Sequence, residues 1–176
     1  KNFYQRLAFD EIFSTFLVNS EIRKKIKKVK KKNKLINRNI QNSIIEKLDF
    51  SLTKDQIKSL EEINKDLSST NKMFRLLQGD VGSGKTIVAL ITSMNVISSG
   101  FQVCLMAPTE ILAKQHYNLA KKLFDKNINI KILTSKTEYK ERKEILRDLD
   151  KNIINIIIGT HSLFQEKIKY HNLGLI

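Results

Sequence analysis

The sequence predicts an α/β fold: three layers on a mostly parallel sheet, truncated at its carboxyl end and preceded by a helical basic linker. Three observations carry that reading. Beyond residue 72, short apolar and β-branched runs alternate with longer stretches of helical periodicity, the pattern of parallel strands joined by right-handed crossovers. Ile153-Ile154-Asn155-Ile156-Ile157-Ile158 is apolar without strict alternation, as suits a strand covered on both faces. A glycine-rich loop over residues 79–86 joins the first such run to the helix that follows it.

Each element follows from its own spacing. Phe3, Leu7, Phe9, Ile12, Phe13, Phe16 and Leu17 recur close to helical spacing, predicting a helix over residues 3–17 with an apolar face. The chain then turns basic: Arg23, Lys24, Lys25, Lys27, Lys28, Lys30, Lys31, Lys32, Lys34 and Arg38 stand against Glu21. So dense a block suits either a nucleic-acid-facing element with salt-dependent binding or a solvated connector. No aromatic is interleaved to stack on bases, and charge leaves the two readings open.

Thr53 and Gln56 have capping-box spacing, and Ile57, Leu60, Ile63 and Leu67 continue a helix to about residue 68. From there the predicted order is strand 74–78, helix 84–98, strand 102–107, helix 109–124, strand 128–133, helix 137–149 and strand 153–158. Gly174-Leu175-Ile176 reads as the start of another strand. Two regions are expected: a helical linker over residues 1–50 and the α/β domain over residues 51–176.

Composition bounds the function. Among 176 residues, 32 Lys and Arg against 18 Asp and Glu give a net charge of +14, which points to a polyanionic partner. Hydrophobic residues, 41% of the chain, are enough for a packed core. Cys104 stands alone, which excludes an internally disulfide-stapled scaffold and favours a reducing compartment, so a cytoplasmic location is expected. No run reaches the ~18 apolar residues of a membrane span. Lys1-Asn2-Phe3 has neither a methionine nor a signal pattern, so the chain is expected to start within a longer protein.

Gly79-Asp80-Val81-Gly82-Ser83-Gly84-Lys85-Thr86 fits G-x-x-x-x-G-K-[ST] at every fixed position, with a predicted strand entering and a helix leaving. The glycines let the backbone curl close to an oxyanion, and successive amides at a helix N-terminus form an anion nest. Lys85 places a cation on β- and γ-phosphates, and Thr86 offers a hydroxyl to Mg²⁺. The site therefore predicts binding of a nucleoside triphosphate with Mg²⁺. Gln56, on the first turn of its helix, is either a capping residue or an amide able to pair with both edges of an adenine. Cys104 reads as a small core hydrophobe, and His116, His161 and His171 show no metal-ligand spacing.

Three blocks extend this reading. They are Arg75-Leu76-Leu77-Gln78 running into the glycine loop, Leu105-Met106-Ala107-Pro108-Thr109-Glu110-Ile111-Leu112-Ala113-Lys114-Gln115-His116, and Gly159-Thr160-His161-Ser162-Leu163-Phe164-Gln165. In this order and spacing they resemble the RecG family of ATP-dependent DNA helicases. Asn172-Leu173-Gly174-Leu175-Ile176 is similar to that family's approach to its Walker B strand, and Arg6-Leu7-Ala8-Phe9-Asp10-Glu11 to the helix joining its wedge domain to its motor.

The resemblance implies a RecA-like motor domain that unwinds and branch-migrates stalled forks and Holliday junctions in DNA repair and recombination. It favours Gln56 as an adenine reader and makes residues 79–86 helicase motif I. It also implies that Pro108, Thr109 and Glu110, and then Gly159, Thr160 and His161, touch the DNA backbone. Capping of helix N-termini by Thr109 and Thr160 agrees with phosphate gripping, although plain capping is the simpler reading of each threonine alone. A monomer is expected, and the carboxylate pair of Walker B is expected just after Ile176. Without that pair the chain itself is expected to bind nucleotide weakly and not hydrolyse it. The rivals are a duplex translocase similar to transcription-repair coupling factors and a non-catalytic basic DNA-binding remnant. A P-loop nucleotide kinase is disfavoured by the basic excess and by Ala107-Pro108-Thr109.

Overall fold

The structure, a computed structural model, describes residues 2–28, 30–164 and 168–176. Lys1 and Gln165, quoted above, lie outside the described residues, as do the side chains of Arg23, Lys27 and Lys28. The helices are α1 (Asn2–Lys28), α2 (Arg38–Ile45), α3 (Lys54–Ser68), α4 (Lys85–Ser98), α5 (Glu110–Leu123) and α6 (Tyr139–Asp150). The strands are β1 (Gln102–Met106), β2 (Ile130–Leu133), β3 (Ile156–Gly159) and β4 (Leu173–Leu175), and a single 3-10 turn, His161–Phe164, follows β3.

The sheet order is β2-β3-β1-β4, with every pairing parallel. This is the predicted α/β class. Alternate residues of the strands feed two cores. Val103, Ile130, Ile156 and Ile158 join α2, α3, α4 and α5 on one face. Cys104, Leu133 and Ile157 meet Ile145 and Leu149 of α6 on the other. Burial on both faces is why β3 lacks a polar alternation. Buried Gln102 is fully paired, donating to the carbonyls of Leu149 (2.9 Å) and Ile154 (3.0 Å) and accepting from the Asn172 amide (3.1 Å).

Register sets the functional edge. Met106 pairs with Gly159, and Gly159 with Leu133, so β1, β3 and β2 end in one row and their following loops open side by side. Gly159 is required there, because a Cβ would run into the Leu133 carbonyl oxygen.

Two expectations need correction. Residues 74–78 form no strand. Met73 and Leu77 pack against the core, but a cleft of about 150 Å³, lined by Met73, Leu77, Leu105 and Leu175 among others, lies beside the segment. Apolar composition favours burial, whereas a strand also needs a neighbour for its amides and carbonyls, and none of the described residues supplies one. Secondly, α1 runs well past residue 17, and its predicted apolar face stays in solvent: Phe3, Leu7, Phe9, Ile12, Phe13, Phe16 and Leu17 are each half exposed or more.

The basic block, whose two readings charge left open, is in part tied to the fold. Residues 30–37 form a strap on α3: the amides of Lys31 and Lys34 donate to the carbonyls of Thr70 (2.8 Å) and Leu67 (3.0 Å). The Lys31 ammonium donates to the carbonyls of Asp66 (3.2 Å), Leu67 (2.8 Å) and Ser69 (2.8 Å), capping the carboxyl end of α3. Lys34 is buried, its ammonium 4.7 Å from the centre of the Phe101 ring. The short α2, with Asn37 as its N-cap, was not expected and packs on α4.

Candidate nucleotide site and loop edge

The glycine-rich loop leads into α4 through Gly84, which takes the N-cap position in the left-handed region (φ 77°), and Gly82 is also left-handed (φ 81°). Side chains rarely adopt these angles, so both positions favour glycine. A Cβ at Gly84 would also displace the Gln56 side-chain amide that lies against it. Among the described residues, the amides of Gly82, Gly84, Lys85 and Thr86 have no protein acceptor, while the Ser83 amide bonds Asp80 O at 3.2 Å. Free amides at the start of a buried helix are the arrangement an oxyanion satisfies.

Lys85 is drawn into this loop. Its ammonium donates to Gly79 O (2.8 Å), Asp80 O (2.6 Å) and Ser83 Oγ (3.3 Å), so the turn is contracted about its own cation. The loop is exposed at Asp80 and Val81 among the described residues. Phosphate oxygens would take over the ammonium and the free amides together, so the donor set fits a polyphosphate. Thr86, half-buried on the first turn of α4, carries an oxygen of the type Mg²⁺ prefers.

Gln56 caps and ties at once. Its Oε1 accepts from Thr53 N (2.9 Å), completing the capping box of α3, and its Nε2 donates to Ser83 O (2.9 Å). In this state both ends of its amide are engaged, and it joins the start of α3 to the loop. Pairing with a base would require it to exchange one of these bonds.

The loop edge gathers the other predicted residues. After β1, exposed Pro108 leads to Thr109, whose Oγ1 accepts from Leu112 N (3.3 Å) and so caps α5. Glu110, the first residue of α5, points elsewhere: its carboxylate accepts from Ser135 Oγ (2.7 Å) and pairs with Lys136 (3.3 Å). The Ser135 hydroxyl, above all, holds the Glu110 carboxyl below the usual carboxylate range. After β3, Thr160 starts only the 3-10 turn, its carbonyl accepting from Leu163 N (3.0 Å), rather than capping a full helix as expected. Its Oγ1 lies 3.4 Å from Ser162 Oγ, and His161 is exposed.

Sequence reasoning passed over the loop after β2. Thr134, Ser135, Lys136 and Thr137 follow a strand as Thr109 and Thr160 do, which was the available signal. The loop is closed by Thr134 N donating to Thr137 Oγ1 (3.0 Å), and Lys136 projects into solvent. Cys104 is the small core residue expected, its thiol pushed up by burial and contacted by Tyr170 Oη at 3.4 Å. Among the described residues no cluster of His, Cys, Asp or Glu could hold a metal ion, and no helix is long and apolar enough to cross a membrane.

Comparison with known proteins bears on this geometry. A family model described as DEAD/DEAH box helicase matches residues 53–176. The chain is 41% identical over 175 residues to the ATP-dependent DNA helicase RecG of Aquifex aeolicus (strain VF5), covering 99% of this chain and 22% of that protein. It is 46% identical over 134 residues to ATP-dependent DNA helicase RecG of Staphylococcus aureus (strain NCTC 8325 / PS 47), covering 76% of this chain and 20% of that one. A solved structure of RecG bound to a three-way DNA junction superposes with a TM-score of 0.87 at 39% identity, covering 97% of this chain and 24% of that chain. The chain thus spans about a fifth of the length of these curated relatives.

Proposed function

The chain belongs to the DEAD/DEAH box helicase family, and on that premise we propose that it is the nucleotide-gripping part of the first motor domain of an ATP-dependent DNA helicase. The substrate we assign is branched DNA, including stalled forks and Holliday junctions. The resemblance supports this, as does the solved RecG relative bound to a three-way DNA junction. The observation that carries the reading is the loop over residues 79–86, with free amides and Lys85 converging at the start of α4.

In this proposal Lys85 exchanges its carbonyl partners for β- and γ-phosphate oxygens, and the amides of residues 82, 84, 85 and 86 hold the same anion. Gly79, Asp80, Val81 and Ser83 shape the loop, and Thr86 supplies its hydroxyl to Mg²⁺. Gln56 releases the Ser83 carbonyl to read the adenine. When bound, ATP with Mg²⁺ supplies the free energy of phosphoryl transfer that drives unwinding.

The loops at Pro108, Thr109 and Glu110, and at Gly159, Thr160 and His161, face the DNA backbone, so binding follows phosphate rather than sequence. Thr109 presents the α5 N-terminus. Loop 134–137 belongs to the same edge. Residues 1–50 form the linker and residues 51–176 the motor portion, although Ile44 of α2 shares the main core. A monomer acting in the cytoplasm completes the proposal.

The test uses the full-length protein. Lys85→Ala is expected to leave DNA affinity near normal and to stop unwinding of a forked substrate, read by strand displacement. Loss of DNA binding with ATP hydrolysis intact would contradict the role given to the lysine.

A further inference from the structure

Glu110 stands where the resemblance places a DNA contact, yet a carboxylate repels phosphate. Its geometry shows what it holds instead. In the sheet order, β3 lies between β1 and β2, so the Glu110–Ser135 hydrogen bond (2.7 Å) reaches from the first residue of α5, which follows β1, to the loop after β2. Lys136 joins the same carboxylate at 3.3 Å. The 3-10 turn after β3 is tied in as well, because Ser162 Oγ donates to Leu133 O at 3.0 Å. Since Met106, Gly159 and Leu133 end in one row, these bonds close three neighbouring loops into a single rim.

We propose that Glu110 is a positioning residue for DNA binding: it braces the 134–137 turn against the start of α5 so that the rim presents its phosphate-binding groups, Lys136 among them, at fixed spacing. This inference rests on the DNA-binding function proposed above. Its chemistry separates two uses of one side chain. The hydroxyl of Ser135 needs only an oxygen acceptor, which glutamine also provides, whereas the pairing with Lys136 needs the charge. Once a phosphate approaches, Lys136 can exchange the carboxylate for the DNA, as charge-assisted contacts to phosphate do.

The experiment measures binding of the full-length protein to a duplex oligonucleotide by fluorescence anisotropy across a salt series. Glu110→Ala and Ser135→Ala are each expected to weaken binding about fivefold, and the slope of log K against log salt is expected to fall by roughly one as one phosphate contact is lost. Glu110→Gln is expected to stay within about threefold of wild type, and the Glu110→Ala/Ser135→Ala double variant to bind about as well as either single one, because both remove the same brace. Tighter binding by Glu110→Ala, a Gln variant as weak as the Ala variant, or losses that multiply in the double variant would each overturn the positioning role. Salt-independent or absent DNA binding by the wild type would instead overturn the function on which it rests.

Discussion

At the scale of single residues, the site is fixed by a few atoms that have no alternative. Gly84 is left-handed and lies against the Gln56 amide, so Gly84→Ala strains the backbone and displaces that amide. It is expected to lower nucleotide affinity at least tenfold, about 1.4 kcal/mol, in a titration with a fluorescent ATP analogue. Unchanged affinity would mean that the loop does not need its present curl to hold phosphate. Lys34 offers a pH test. Burial, then the charge of Lys31, lowers its pKa, so between that depressed value and the ordinary one near ~10.4 the unfolded chain binds more protons than the folded one. Stability contributed by this residue therefore rises as pH climbs through the window. The melting temperature of wild type is expected to gain on that of Lys34→Met between neutral and alkaline pH, and a difference independent of pH would contradict the assignment.

The residues also show where sequence was sufficient. The glycine loop is legible because its chemistry is local: spacing along the chain sets which amides converge. Gln56 was only half legible. Its capping role follows from Thr53 three positions earlier, but its bond to Ser83 depends on how α3 meets the loop, which no local pattern encodes.

At the scale of elements, the strands buried on both faces announced themselves through unbroken apolar runs, and α4, α5 and α6 through their periodicity. One element was misread and another left open for the same physical reason. Residues 74–78 have the composition of a strand but no ladder partner among the described residues, and pairing is a relation between distant segments. The reading of the basic block stayed open because its partners, the carbonyls of Asp66, Leu67 and Ser69, lie at the far end of α3. That strap gives a prediction. Lys31→Met keeps the apolar stem and removes the cation from the carbonyl cluster. It is expected to destabilise the fold by about 1–2 kcal/mol in denaturant unfolding, the scale of a partly buried helix-terminal cation. A loss below a few tenths would show the strap to be incidental. By the same logic Thr109→Ala, which removes the N-cap of α5, is expected to cost about 1 kcal/mol.

At the scale of the whole molecule, the arrangement sets two functions on connected supports. The nucleotide loop sits at the start of α4, packed between α3 and the sheet, and the proposed DNA rim sits at the carboxyl ends of β1, β3 and β2. β1 contacts both α4 and the 3-10 turn of the rim. The net charge of +14 favours a polyanionic partner without reading any base. The sequence marked the loops after β1 and β3 but not their joining into one rim. That joining is created by register, which brings the ends of three strands into one row although they stand far apart in the chain.

The central claim is that Lys85 and the amides around it close on a triphosphate. The most direct test titrates the full-length protein with a fluorescent ATP analogue, with and without Mg²⁺, beside its Lys85→Ala variant. The account predicts saturable binding that tightens with Mg²⁺ and falls at least tenfold in the variant, about 1.4 kcal/mol. Binding of equal strength by the two proteins, or none by wild type, would contradict it.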